Sequence, residues 1–205
     1  MIQREKTKMD LDKISEKLEK KLKPDRYRHT KGVMYTAAAM AMRYEQDIQE
    51  AMLAGLLHDC GKFTSPEEQV ELCKKYKIEL SEAELQVLPL IHAKLGAYLA
   101  KEKYKVDNER VINAILYHTT GRPNMSMLDK IIYLSDYIEP GRKMIPGLTE
   151  VRKEAFIDID HAVSLCAKNT LEYLKWQKRP IEKHMSIIQN NALKGGRQWN
   201  RQKKW

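Results

Sequence analysis

The chain has 205 residues, of which 42% are hydrophobic and 32% are charged, and its formal net charge is +9. One core domain with ragged ends accounts for this length, and a net positive charge favours an anionic partner. The longest apolar runs, 37–42 and 52–57, are six residues each, far short of the roughly 20 that cross a bilayer. The first residues alternate charges instead of forming an apolar export signal, so we expect a cytoplasmic protein with no membrane partner.

The three cysteines, Cys60, Cys73 and Cys166, form no CxxC pair and cannot all pair with one another. A disulfide framework or a cysteine-based zinc site is therefore not expected, and a reducing cytoplasm fits best. The segment 194–205 is rich in Lys and Arg and contains no acid, which is typical of a solvated tail. No recognised RNA or DNA motif appears, so we expect no nucleic-acid partner. A homodimer is compatible with the sequence.

Apolar residues recur at helical spacing along nearly the whole chain, which predicts an all-α fold. The first predicted helix carries one aliphatic stripe: Leu11, Ile14, Leu18 and Leu22. Pro24 is expected to close that helix, and a second helix should run from about 26 to 44. The third, about 48–60, is apolar on most of its circumference, as expected of a central buried helix, and Gly61 is a natural stop for it.

Helix-start signals recur farther along the chain. Capping boxes are predicted for Ser65 with Glu68, Ser81 with Glu84, and Ser126 with Asp129. Pro89 is expected to open a helix, and Asp107 to cap the next one.

The last part of the chain reads as an ordered loop followed by longer helices. Proline and glycine interrupt the pattern over 140–147. One helix is predicted over 149–177, with a break near Asp158, and another over 180–193. We therefore divide the chain into an N-terminal helix (1–24), a core domain (25–193) and a basic tail (194–205).

Four of the six histidines, His29, His58, His92 and His118, fall on core-facing helical positions. A lone histidine there is more often a hydrogen-bonded core residue than a ligand. Burying four neutral rings without partners would cost about 1 to 3 kcal/mol for each. A shared metal site would remove that cost. The other two, His161 and His184, lack such context and are interpreted as surface or rim residues.

Two carboxylates accompany these histidines. Asp59 follows His58 directly, and if both lie on one helix they project about 100° apart and can reach one ion between them. Asp136 supplies a carboxylate from another helix. Imidazole nitrogen with carboxylate oxygen suits iron, manganese, zinc or nickel and leaves positions open for water. Asp129 is explained by its capping position.

These residues carry a resemblance to a known family. His29 in RYRHT, the doublet His58-Asp59 in LLHDCGK and Asp136 in DKIIYLSDYIEPGR resemble the H…HD…D pattern of HD-domain phosphohydrolases. With His92 in IHAKLGA and His118 in YHTTG, the chain is similar to the bacterial symmetrical bis(5′-nucleosyl)-tetraphosphatases over about 25–180. The resemblance implies an HD-domain helical bundle with a buried metal site, and symmetrical cleavage of diadenosine tetraphosphate to two ADP by metal-activated water.

The resemblance also implies residue roles. His29, His58, Asp59 and Asp136 would hold the principal metal, usually iron in this family. His92 and His118 would either hold a second metal bridged by Asp59 or touch the substrate phosphates, and the sequence does not separate these two alternatives. The residues that count as catalytic in this interpretation are Asp59, Lys62, His92 and His118. Those that face the substrate are His29, Lys62, His92, His118 and Asp136.

Three further residues are candidates for phosphate contacts. Lys62 matches the lysine of the HDxxK pattern and could meet a phosphate oxygen, although a solvated lysine is its ordinary alternative. Thr119 is favoured over Thr120 as a phosphate donor, although either can simply turn the chain before Gly121. Arg142, on the loop after the Asp136 helix, could grip a distal phosphate through a bidentate guanidinium.

Two other functions compete with this one. A different HD-type phosphohydrolase would act on other nucleotides or cyclic dinucleotides, but no GYP block follows HDCGK, which disfavours the cyclic-dinucleotide branch. A non-catalytic nucleotide sensor or RNA-associated protein would keep the fold and lose ligands. All six His and Asp positions are present here, which favours the enzyme.

Overall fold

The computed structural model describes residues 10–176, except the side chain of Ala83, and every regular element in that range is helical, which confirms the all-α prediction. In chain order the helices are α1 (Leu11–Glu19), α2 (Pro24–Arg43), α3 (Ile48–Leu57), α4 (Pro66–Lys75), α5 (Glu82–Gln86), a short 3-10 helix (Leu88–Leu90), α6 (Ile91–Glu102), α7 (Glu109–Tyr117), α8 (Met127–Ile138), α9 (Leu148–Glu154) and α10 (Ile159–Trp176). None of these helices is long and apolar enough to cross a membrane.

Helix α3 lies at the centre and contacts α2, α7 and α8. Leu53, Leu56 and Leu57 are buried on different sides of it, as the apolar circumference predicts. Gly55 allows α2 to approach closely, because a Cβ there would lie within 2.9 Å of the Met34 Cα. The C-terminal end of α3 is thereby fixed between its neighbours.

Several predicted start and stop signals are confirmed. Ser65 and Ser126 both form complete capping boxes, with Glu68 and Asp129 respectively. The break near Asp158 is also present, since its side chain accepts hydrogen bonds from the first backbone N–H groups of α10. The predicted helix over 180–193 and the basic tail lie outside the described residues.

Two predicted helix starts, those of α2 and α7, are wrong. Pro24 does not close α1, which ends at Glu19; it is the first residue of α2, where its missing N–H costs nothing. Asn108, not Asp107, caps α7: its side chain accepts from the Arg110 N–H and also donates to Glu50 at 2.7 Å. The hydrogen bond to Glu50 depends on the packing of α3 against α7, and it explains why Asn108 is the cap.

The third wrong boundary affects the site directly. Helix α3 ends at Leu57, with His58 as its C-cap, so Asp59 lies in tight turns beyond the helix and not 100° around it. Gly61 lies just beyond this end, and its backbone is so close to α6 that a Cβ would collide with the His92 carbonyl oxygen and lie 3.0 Å from the Gly96 nitrogen. The α3 end and α6 are thus locked together through backbone contacts.

A glycine pair tests this close approach. Gly61→Ala should lower the free energy of unfolding by about 1 to 3 kcal/mol, because backbone atoms of α6 cannot easily move aside. Gly96→Ala is the matched control, since a Cβ there would make ordinary contacts at 3.5 Å or more, and it should change stability by about 1 kcal/mol or less. Urea unfolding followed by circular dichroism measures both. Equal effects of the two substitutions would contradict the proposed packing.

Candidate metal centre

The four predicted histidines lie together at the ends of their helices. Ring centroids are 5.4 Å apart for His29 and His58, 5.0 Å for His58 and His118, and 5.0 Å for His92 and His118. His58, His92 and His118 are almost completely buried, and the side chain of His29 is 11% exposed. Four helices therefore each deliver one imidazole to one buried cluster.

Three of these rings are oriented by the same kind of local hydrogen bond. In each, Nδ1 lies within hydrogen-bond distance of the carbonyl oxygen three residues earlier, which can only accept. The pairs are His58 with Gly55, His92 with Pro89, and His118 with Ile115. Nδ1 must carry the proton in these bonds, so Nε2 presents its lone pair to the cluster when the ring is neutral.

The fourth ring, His29, is oriented by a buried carboxylate. Its Nδ1 lies 3.0 Å from Glu139 Oε1, and Glu139 also accepts from the Gly141 N–H at 2.6 Å. Glu139 is 3% exposed and lies against Gly32, where any Cβ would collide with it. A carboxylate behind a histidine is the usual support of a metal ligand, since it fixes the ring and raises its basicity.

Two aspartates complete the cluster. His29 Nε2 lies 3.0 Å from Asp136 Oδ1, and His58 Nε2 lies 3.5 Å from Asp59 Oδ2. On its other side, Asp59 Oδ1 lies 3.4 Å from His92 Nε2 and 3.7 Å from His118 Nε2. Asp59 thus lies between two halves of the cluster.

The atoms that face one another here are mostly acceptors. In the described range, His29 Nε2 and His58 Nε2 are buried and make no hydrogen bond, whereas the buried Asp59 Oδ1 has an ion pair with Lys62 Nζ at 3.0 Å. Leaving buried acceptors such as these two nitrogens unpaired costs about 1 to 3 kcal/mol each. A metal ion would satisfy both nitrogens at once, so the cluster fits a bound metal ion better than it fits a set of ordinary core histidines.

The second half of the cluster, which contains His92 and His118, also brings acceptor atoms together. His92 Nε2 and His118 Nε2 are 3.0 Å apart, and neither carries hydrogen in the neutral ring. Thr119 Oγ1 lies 3.2 and 3.1 Å from them, but its single hydrogen can serve only one. Thr120 turns away and donates to the Gly121 carbonyl oxygen.

Electrostatics keeps the His58 and His92 rings neutral and the two aspartates ionised. Burial lowers the pKa of His58, and burial together with the Lys62 charge lowers the pKa of His92 well below its usual value. Burial opposes ionisation of Asp59, but its neighbours, the Lys62 ammonium among them, outweigh burial and hold the pKa of Asp59 well below its ordinary range. For Asp136, likewise, the contacts with His29 and Arg142 outweigh burial and hold its pKa low. Neutral imidazoles and carboxylates are the forms that bind metals.

Metal-ligand geometry is present in two overlapping groups. The ligand atoms of His29, His58 and Asp136 lie within 4.8 Å of one another, as do those of His58, Asp59 and His118. Nitrogen with oxygen donors suits a divalent transition metal.

Three cations border the carboxylates. Lys62 Nζ lies 3.0 Å from Asp59 Oδ1, and Arg26 Nη1 lies 2.8 Å from Asp59 Oδ2. Arg142 donates from Nη2 to Asp136 Oδ1 at 2.6 Å and from Nε to the Asp136 carbonyl oxygen at 2.7 Å. Their side chains are 36%, 28% and 38% exposed for Arg26, Lys62 and Arg142 respectively. They stand on the solvent side of the buried acids.

Sequence reasoning missed Arg26 and Glu139. Arg26 precedes His29 by three residues within α2, and Glu139 follows Asp136 by three as the C-cap of α8, so each is three residues from a candidate ligand. This three-residue spacing is the sequence signal that points to Arg26 and Glu139. His161, interpreted as a rim residue, is half exposed and contacts Glu154 at 3.2 Å, away from the cluster.

Comparison with known proteins gives consistent matches. A model of the HD domain matches residues 26–141. The chain is similar to the symmetrical bis(5′-nucleosyl)-tetraphosphatase of Halalkalibacterium halodurans, at 41% identity over 82% of this chain and 89% of the relative. It is also similar to the protein with the same name from Bacillus subtilis, at 39% identity over 87% of this chain and 95% of the relative.

A solved structure matches equally well. A crystal structure from Clostridium acetobutylicum, described as a predicted HD superfamily hydrolase involved in NAD metabolism, has a TM-score of 0.85 and 39% identity. The match covers 90% of this chain and 97% of that chain. The helical arrangement around the cluster therefore recurs in an experimentally determined relative.

Removal of one buried imidazole tests the metal centre. His58→Ala should abolish stoichiometric binding of a divalent metal, because His58 belongs to both ligand groups. His161→Ala is the matched control and should keep the metal. Elemental analysis after purification without oxygen measures the bound metal, and circular dichroism checks that the helices persist. A full metal complement in a folded His58→Ala protein would contradict the assignment.

Glu139 provides a second test, on the support of His29. Glu139→Ala should weaken metal affinity by about 10- to 100-fold, since the His29 ring loses the acceptor that fixes its orientation. Glu150→Ala, an exposed acid on α9, should leave the affinity unchanged. Competition with a chelator measures both, and an unchanged affinity in a folded Glu139→Ala protein would exclude the positioning role.

Proposed function

We infer that this chain, which belongs to the HD-domain family and within it to the symmetrical bis(5′-nucleosyl)-tetraphosphatases, hydrolyses dinucleoside tetraphosphates to nucleoside diphosphates. The single observation that carries this function is the buried cluster in which four imidazole lone pairs and two carboxylates face a common centre. A chain that had lost catalysis would have no reason to maintain so many unpaired buried acceptors.

The proposed principal metal ligands are His29, His58, Asp59 and Asp136. Support comes from their contacts of 3.0 to 3.9 Å and from the absence of hydrogen bonds at His29 Nε2 and His58 Nε2 within the described residues. We propose iron as the resident metal, with manganese, zinc and nickel as alternatives that suit the same donors.

Two roles were open for His92 and His118, a second metal or a direct phosphate contact. We propose the second metal, which His92 and His118 would hold together with Asp59. A phosphate oxygen is itself an acceptor, so two neutral Nε2 lone pairs 3.0 Å apart would repel it. The lowered pKa of His92 argues against a protonated ring that could donate.

The metal and the protein side chains contribute different parts of the chemistry. A divalent metal, when bound, makes hydroxide available near neutral pH and offsets phosphoryl charge. In the proposed reaction, an oxygen from water bonds to one of the two central phosphorus atoms and the bridging P–O bond breaks. One diphosphate leaves with the bridging oxygen, the other keeps the water oxygen, and a proton passes to solvent.

Protein groups bind and orient the phosphate chain. Lys62, beside Asp59, and Arg142, beside Asp136, are placed to donate to phosphate oxygens, and the Thr119 hydroxyl lies between His92 and His118. No strong protein acid is needed for the leaving group, since the second pKa of a phosphate is about 6. Positive charge near the leaving oxygen is sufficient.

The proposed compartment is the cytoplasm. All three cysteines, Cys60, Cys73 and Cys166, are free and buried. Burial raises the pKa of the Cys166 thiol to about 12, so it stays protonated and unreactive. Free, unreactive thiols suit a reducing environment.

Product analysis tests the function. Metal-loaded protein incubated with diadenosine tetraphosphate in water enriched in heavy oxygen should give ADP alone, with the label in the β-phosphate of half of it, because each cleavage gives one ADP that keeps the water oxygen and one that keeps the bridging oxygen. Chromatography with mass spectrometry reads both results. AMP with ATP would indicate asymmetric cleavage, and no turnover by metal-loaded protein would refute the function.

A further inference from the structure

Arg26 occupies an unusual position at the edge of the cluster. It lies in the first turn of α2, three residues before His29, and its Nη1 donates to Asp59 Oδ2 at 2.8 Å. Asp59 is completely buried, whereas the Arg26 side chain is 36% exposed. The guanidinium therefore lies between the buried carboxylate and solvent, where a substrate must enter.

Arg26 is held less firmly than the other arginines near the site. Within residues 10–176, Nη1 is the only one of its donors with a hydrogen bond, out of the five of a guanidinium. Arg142 is fixed by the backbone carbonyl and the carboxylate of Asp136, and Arg122 makes two bonds to Asp129. Four donors of Arg26 thus remain free to face an incoming anion.

The negative charges of the aspartates and of the substrate indicate the role of Arg26. A tetraphosphate carries a negative charge on every phosphate and would be repelled by Asp59 and Asp136 alone. Asp59 keeps Lys62 Nζ at 3.0 Å, and the Arg26 guanidinium is partly solvated, so the Arg26 contact with Asp59 can be exchanged for a contact with a phosphate oxygen. A diphosphate offers two adjacent anionic groups, which a planar guanidinium binds in a bidentate manner.

We propose that Arg26 is a substrate-binding residue that leaves Asp59 Oδ2 and grips the phosphate chain on the α2 side of the cluster. This inference rests on the proposed function. Arg26 and Lys62 then bind phosphates beside Asp59, and Arg142 binds them beside Asp136. Cations at both carboxylates match a substrate that has a diphosphate on each side of the cleaved bond.

Nucleotide binding by the metal-loaded full chain tests the role of Arg26. Arg26→Ala should weaken ADP binding by about 10- to 100-fold in calorimetry, as expected from the loss of a charge-assisted hydrogen bond of about 1.5 to 3 kcal/mol. Arg26→Lys should recover only part of the affinity, since an ammonium cannot bind in a bidentate manner. Arg28→Ala is the matched control: Arg28 is two residues away on the same helix, exposed, and paired with the exposed Asp25. It should bind ADP as the wild type does.

Metal content separates substrate binding from support of Asp59. Elemental analysis should find the same metal in Arg26→Ala as in the wild type, and the KM for diadenosine tetraphosphate should rise. Equal ADP affinity of the Arg26→Ala and Arg28→Ala proteins would overturn the proposal. Loss of metal in Arg26→Ala would also overturn it, because Arg26 would then only position Asp59. Failure of the wild type to cleave the tetraphosphate would refute the function separately, without deciding the ADP comparison.

Discussion

Buried imidazole nitrogens that face one another with too few hydrogen-bond donors are the constraint on which this structure depends. His92 Nε2 and His118 Nε2 are 3.0 Å apart and share the single Thr119 hydroxyl, and His29 Nε2 and His58 Nε2 have no hydrogen-bond partner in the described part of the chain. Such an arrangement costs several kcal/mol when it holds no cation. Only a function that uses a cation explains why the fold maintains it.

Helix C-caps and one close glycine contact maintain this arrangement. His58 and His118 are the C-caps of α3 and α7, where unpaired carbonyl oxygens are available to orient the rings. The partial negative charge of these helix ends also favours a nearby cation. Gly61 then brings the α3 end against α6 and so places Asp59 beside His92.

Charge is layered outward from the cluster. The imidazoles and the ionised aspartates lie innermost, and the three cations on the side facing solvent are Arg26, Lys62 and Arg142. An inner layer that attracts cations and an outer layer that attracts anions would together bind a metal and a polyphosphate. The two ligands would stabilise each other, since each reduces the repulsion that the other meets in the empty site.

The sequence by itself determined the helical class, the capping boxes and the six His and Asp positions that converge, because these depend on local periodicity and on short motifs. It misplaced the starts of α2 and α7 and the end of α3, where contacts with distant segments decide the boundary. Glu139 and His29 are 110 positions apart and meet only because α2 packs against α8. The pairing of Arg26 with Asp59 and the direction of each imidazole lone pair were likewise decided by tertiary structure, since helical spacing fixes which face a side chain lies on but not which partner it meets there.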